Sequence, residues 1–337
     1  MRAVQLVAVG EPLEDRDVPR PEPGPGEVVV DVAAAGICHS DVHYRDGVGS
    51  VARLPLTLGH EIAGAVAAVG DGVDPARLGA RVGIHYVVSC TRCDGCLRRG
   101  EQFCIGYEMT GKDRDGGYAE AVVVPERNAV DLPATVDLRH AAVMMCSSVT
   151  ALHSLHRAGL RPGETVAVFG VGGLGLSAVQ IGAALGAGTV LAIDIDTDRL
   201  ALAGDLGAVP VPAASAARAI SDAGGADVAL DLVGSAAVLG AALAAAAPGG
   251  RVVSVGLTAE TLPVEPQRDL IRNEVSLLGC NDHTLAEVHE VLAMAASGAL
   301  VLDRVVTEEV PLAAAAVNRV MEAMAHFGSG ARRVIVT

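Results

Sequence analysis

TVAVFGVGGLG, residues Thr165–Gly175, is a short apolar strand (Thr165–Phe169) running straight into a glycine-rich turn, with the helix-forming stretch Leu174–Leu185 behind it. Gly170, Gly172, Gly173 and Gly175 follow the pattern G-x-G-x-x-G. Such glycines let a pyrophosphate approach the backbone N–H groups at a helix N-terminus, where the partial positive charge of the helix favours an anion. The pattern alone is weak, since it also describes a tight turn with no ligand. Here it has its context: Asp194 ends the next apolar strand, Thr189–Ile193, 19 residues beyond Gly175. A carboxylate at that place accepts hydrogen bonds from the adenosine ribose hydroxyls and repels a 2′-phosphate, which argues for NAD over NADP.

Outward from this stretch, Asp227–Leu232, Arg251–Val255 and Val275–Leu278 are further apolar strands. Ala/Leu-rich stretches lie between strands, among them Thr197–Leu206 and Ala236–Ala247, and Pro248–Gly250 separates the latter from its strand. Strands alternating with helices indicate parallel βαβ units. The first third of the chain is different. It is rich in Val, Gly and Pro, and strands are predicted at Glu27–Ala33, Ile62–Val69 and Ala121–Pro125. The last part carries helices at Thr284–Ala296 and Leu312–Ala325 and a closing strand, Arg333–Val336.

The 337 residues suit two domains, and the 51% hydrophobic content is enough for two cores without disulfides. A net charge of −15 argues against nucleic acid or an anionic membrane as partner. The segment Met1–Arg20 is acidic and has no signal-peptide pattern, and no long apolar run occurs. These features predict a cytoplasmic protein acting on a small molecule.

Four of the seven cysteines fall within 15 residues: Cys90, Cys93, Cys96 and Cys104, spaced C-x2-C-x2-C-x7-C. Two-residue gaps let thiolates converge on one tetrahedral ion, and the fourth arrives on the returning loop. An iron–sulfur cluster is the rival occupant of four thiolates. A closed set with no open position predicts a structural zinc, with Arg92, Arg98 and Arg99 near enough in sequence to offset its negative charge.

Two further segments carry a resemblance. Gly59-His60-Glu61-x2-Gly64-x5-Gly70-x2-Val73 is similar to the zinc signature of the medium-chain alcohol dehydrogenases, and Gly36–Tyr44 (GICHSDVHY) resembles that family's first-ligand loop. Cys146, within Met144–Leu152, matches the third-ligand position, and the likeness runs over nearly the whole chain. It implies an α/β fold: a GroES-like β-rich catalytic domain from residues 1–147 and 279–337, and a Rossmann doubly wound parallel sheet from residues 148–278 that binds NAD.

The resemblance also implies roles. Cys38, His60 and Cys146 would hold a catalytic zinc whose fourth position is open to an alcohol, giving two zinc ions per subunit. The zinc-bound alkoxide would donate hydride to NAD, while Ser40, the ribose and His43 pass the proton outward. Asp41 would orient His60, and Glu61 would sit by the metal. His39 would touch the pyrophosphate, Thr150 and Leu174 would press the nicotinamide, and Arg199 would reach the adenosine ribose. Tyr86 would line the substrate pocket. Cys146, where the polyol branch has Glu, favours simple alcohols. A polyol dehydrogenase or a biosynthetic carbonyl reductase stands as the alternative, and a nucleotide-binding zinc protein without turnover as the rival from another class. A homo-oligomer, dimer or tetramer, is implied as well.

Overall fold

The computed structural model describes residues 1–262, 264–301, 303, 306, 308–325 and 334–336. The chain divides into two compact units: Met1–Cys146 with His283–Ala296 and Leu302–Thr337, and Ser147–Asp282 with Ser297–Val301. The expected boundaries at 147/148 and 278/279 thus lie at 146/147 and 282/283. The segment Ser297–Val301 joins the second unit because Gln180 clasps it. The Gln180 side-chain oxygen accepts from Val301 N–H at 2.6 Å, and its amide nitrogen donates to Val301 O at 3.3 Å.

In the second unit the strands are β1 (Thr165–Phe169), β2 (Thr189–Asp194), β3 (Val209–Pro212), β4 (Ala226–Asp231), β5 (Ala246–Ser254) and β6 (Ser276–Gly279). They form one parallel sheet in the order β3-β2-β1-β4-β5-β6, with β1 at the point where the winding reverses. Ligands bind outside the carboxyl ends of the strands at such a reversal. The glycine turn leaves β1 at that end. Val166, Ala167 and Val168 are fully buried, as a strand enclosed on both faces requires.

Two details depart from the sequence reading. The strand β3, VPVP, was not anticipated, because two prolines argue against a strand; it lies at the sheet edge, where missing N–H groups are tolerated. Pro248–Gly250 does not precede β5 but lies inside it, where the register against β4 shifts between Ala226 and Val228. The extra residues are taken up as a bulge.

The first unit is built on a seven-stranded sheet around the long strand Glu27–Gly36, which pairs antiparallel with Glu61–Val69, Ala121–Pro125 and Val334–Val336. Val28, Val30, Ile62, Val66, Val122 and Val124 form a core there. Glu27–Gly36 runs past the expected end at Ala33, so that Gly36 stands opposite Glu61. That extension delivers Cys38 beside His60. Of the predicted closing strand, Val334–Val336 is a strand and Arg333 lies outside the described residues.

Candidate metal centre and nucleotide site

Cys38, His60, Glu61 and Cys146 offer ligand atoms that all lie within 4.8 Å of one another. Each comes from a different local device. Cys38 is the N-cap of the helix His39–Arg45. His60 immediately precedes the strand that Glu61 opens. Cys146 follows the helix Leu138–Met144, started by the Asp137 side chain, which accepts from Arg139 N–H at 2.9 Å. Met145 presses this turn onto the strand Arg81–Ile84 at Gly83, where a β-carbon would stand 2.7 Å from the Met145 sulfur.

His60 and Glu61 are buried, as is Asp41, whose Oδ1 lies 3.3 Å from His60 Nδ1. Asp41 thereby holds one imidazole nitrogen and leaves the other for a metal. It does a second job as well: its Oδ2 accepts Cys38 N–H at 2.9 Å, closing the helix N-terminus. Asp41 thus faces His60 with one oxygen and closes the helix start with the other. Burial alone would lower the His60 pKa, but Asp41 and Cys38 outweigh it and raise it well above the usual histidine value. The site therefore calls for positive charge. Two thiolates and an imidazole around Zn²⁺ satisfy that call and leave a coordination position open, so the donor set fits zinc.

In the other cluster, Cys90, Cys93, Cys96 and Cys104 likewise bring their sulfurs within 4.8 Å of one another. The Cys90–Cys96 and Cys93–Cys96 sulfur distances are 3.9 and 3.5 Å. Thiolates at about 2.3 Å from a tetrahedral ion stand about 3.8 Å apart, so this set fits zinc too. Cys104 Sγ accepts the N–H groups of Cys90 (3.2 Å) and Gly106 (3.3 Å). Backbone N–H groups of Cys96 and Ile105 bring the Cys93 thiol down to about 6, whereas burial and the neighbouring sulfurs push Cys96 up to about 12. Four sulfurs this close do not all ionise without a cation. The arginines contribute less than expected. Arg92, Arg98 and Arg99 are exposed, Arg98 faces Asp94 at 3.9 Å, and Arg92 assists Cys90 through its backbone.

In the second unit, Gly172 caps the helix Gly173–Ala184. A β-carbon on Gly175 would stand 2.1 Å from Gly170 O, while one on Gly172 would meet nothing within 4 Å. The turn is closed on its inner side and open on its outer side, a cradle that suits a pyrophosphate. Asp194 is buried at the end of β2, its Oδ2 accepting Val171 N–H at 2.8 Å and its Oδ1 accepting Asp196 N–H at 3.0 Å. A carboxylate has about four acceptor positions, so both oxygens retain capacity for ribose hydroxyls. Arg199 lies 3.9 Å from Asp194 and 3.7 Å from Asp196. Leu174 stands half-buried in the first turn of its helix, and Thr150 half-buried in the helix Ser147–Ala158.

Ser40 Oγ stands 3.7 Å from Cys38 Sγ. His39 and His43, one helical turn apart, pack with ring centroids 4.8 Å apart. Burial, and then His39, lower the His43 pKa. Tyr86 sets its ring edge-on to His60 at 5.2 Å, and its hydroxyl lies 3.4 Å from His283 Nδ1.

Three contributors escaped the sequence reading. Tyr118 donates to Asp41 at 2.9 Å, and the Gly116-Gly117-Tyr118 run ahead of a strand was its one signal. His283 comes from far along the chain, and nothing in the sequence marked it. Glu101, within the cysteine loop, accepts from His85 Nε2 at 3.1 Å and from Leu285 N–H at 2.9 Å, and also pairs with Arg127.

The family model for the alcohol dehydrogenase GroES-like domain matches residues 24–134, and that for zinc-binding dehydrogenases matches residues 173–297. An alcohol dehydrogenase of Geobacillus stearothermophilus is 36% identical over 304 residues, covering 88% of this chain and 90% of the relative. The NADP-dependent alcohol dehydrogenase C of Mycobacterium tuberculosis is 35% identical, with 86% of each chain covered. The solved structure of alcohol dehydrogenase TADH from Thermus sp. ATN1 superposes with a TM-score of 0.87 at 33% identity, covering 100% of this chain and 99% of that one. With both family models matched and relatives of this identity aligned over most of its length, the chain belongs to the zinc-dependent medium-chain alcohol dehydrogenases, oxidoreductases that use NAD(P).

Proposed function

We propose that this chain is an NAD-dependent dehydrogenase of simple alcohols, transferring hydride between an alcohol or its carbonyl product and NAD(H), with one catalytic and one structural zinc. The observation that carries the reading is the convergence of Cys38, His60 and Cys146, from three distant segments, on one point beside the buried Asp41. Zinc held there supplies Lewis acidity, so that a bound alcohol releases its proton near neutral pH. Ser40, beside Cys38, receives that proton, and His43, neutral because burial lowers its pKa, passes it to solvent. Asp41 keeps His60 in one orientation, and Glu61 stands ready beside the ligands. Tyr86 walls the substrate side. His39 and the turn Gly170–Gly175, with Leu174 and Thr150, hold the dinucleotide, and Asp194 selects NAD. Cys90, Cys93, Cys96 and Cys104 hold the structural ion.

Two measurements test this. Elemental analysis should find two zinc ions per chain; iron, or a single ion, overturns the assignment. A panel of simple alcohols, sugar alcohols and the matching carbonyls, run with NAD and NADP, should give the highest kcat/KM for a simple alcohol with NAD. A sugar alcohol in first place would move the chain to the polyol branch. The NADP-dependent relative makes cofactor choice the sharper question. Asp194→Ala removes repulsion of a 2′-phosphate and hydrogen bonds to a charged group worth about 1.5–3 kcal/mol. The NAD/NADP ratio of kcat/KM should fall about 10- to 100-fold. An unchanged ratio places the selector elsewhere.

A further inference from the structure

Asp41 carries more than the contact with His60. Its carboxylate collects three donors: Cys38 N–H at 2.9 Å and the Tyr118 hydroxyl at 2.9 Å on Oδ2, and His60 Nδ1 at 3.3 Å from Oδ1. Asp41 and Tyr118 are fully buried. Tyr118 is itself pinned at the backbone, with its N–H donating to Leu58 O at 3.0 Å and its carbonyl accepting Val4 N–H at 2.7 Å. A phenol there stays a donor: burial, and then the Asp41 carboxylate, raise its pKa well above the usual tyrosine value.

We infer that Tyr118 is a positioning residue of the metal centre, holding the Asp41 carboxylate in the rotamer that faces His60 and so fixing which imidazole nitrogen meets the metal. The capping bond from Cys38 constrains one oxygen only, and a carboxylate held by one bond can turn about its Cβ–Cγ axis. The tyrosine adds a second bond to that same oxygen, so that Oδ2 is held by two donors and Oδ1 is left to face His60. Without it the buried carboxylate loses a strong charge-assisted donor and His60 loses a rigid partner. Partners beyond the ligands change metal affinity about 10- to 100-fold, and Tyr118, one bond further out, belongs at the lower end of that range.

The inference rests on the proposed zinc at Cys38, His60 and Cys146, so wild-type zinc content is measured first; if no ion is held there, it is the functional reading that fails. Given two ions, Tyr118→Phe keeps the ring and removes the hydroxyl. In chelator competition, one of the two zinc ions should be lost about tenfold more readily than in wild type while the other is unaffected. The kcat of the zinc-replete enzyme should fall with little change in KM. In an Asp41→Asn background the same substitution should add little, because the group that the hydroxyl holds is already altered. Should Tyr118→Phe leave zinc retention at wild-type level, or lower it equally with Asp41 present and absent, the hydroxyl does not act through Asp41. Asp41→Asn alone, losing zinc while its unfolding midpoint stays near wild type, shows that the cycle reads the metal centre and not folding.

Discussion

The cysteine loop and the Cys38–His60–Cys146 centre lie in the same compact unit and are assembled in opposite ways. The loop draws all four sulfurs from 15 consecutive residues, most of them half-exposed or exposed, and the only regular structure within it is the short helix Asp94–Arg98 and the turn Glu101–Phe103. The other centre draws on a helix cap, a strand start and a helix end, all set in place by sheet pairing and packing. Such a site is preformed by the fold, whereas a short loop with little core of its own depends on its ion for shape. On the proposed reading, an ion in the loop would contribute to folding, and an ion in the preformed centre would contribute to chemistry.

The largest effect that can break this contrast belongs to Cys38→Ala. Turnover should fall by roughly a thousandfold or more, with zinc content dropping from two ions to one. The thermal midpoint should stay within a few degrees of wild type. A midpoint that collapses with the activity would mean the two centres are not different in kind. Next in size, Cys104→Ser should lower the midpoint by about 5–15 °C, because a structural zinc site contributes folding energy. The fraction that remains folded should keep its KM; a raised KM in that fraction would bring the loop into the chemistry.

The smallest effect concerns Glu101, the one residue of the loop whose carboxylate reaches back to His85 and Leu285. Burial works against its ionisation, but His85, the Leu285 N–H and Arg127 prevail and bring its pKa down to about 2 from 4.5. Glu101→Gln should cost about 1–3 kcal/mol in urea unfolding at pH 7. Because the folded-state pKa is depressed, the stabilisation is complete above about pH 4.5 and is lost as pH falls towards 2. The gap between wild type and variant should narrow over that window. A gap that is constant with pH would mean the contribution is not that of the charge.

How far each part could be read from the sequence follows the same contrast. The strand Thr165–Phe169 and its glycine turn are set by neighbours in the chain, so their pattern is visible in eleven letters. The cysteine loop is visible for the same reason. The residues of the Cys38–His60–Cys146 centre, and Asp41 beside it, were expected from the resemblance, but Tyr118 and His283 were not. Tyr118 meets Asp41 across 77 residues, and His283 meets Tyr86 across 197. Neither spacing repeats a period of helix or strand, and a lone Tyr or His gives no sign of which fold contact will claim it. The strand Val209–Pro212 was hidden differently: its residues break the usual strand preference, and the edge position that excuses them is a property of the whole sheet.

That same edge strand limits how the sheet can grow. Pro210 and Pro212 stand opposite Ala192 and Asp194, and neither has an N–H to offer an incoming backbone. At the other side of the sheet, Ser276–Gly279 keeps every N–H and leaves Leu277 36% exposed. Fibre-like polymerisation through backbone pairing requires each sheet to be open on both sides. This one is closed on one side by its imide nitrogens, so strand addition can occur once, beyond Ser276–Gly279, and then stops.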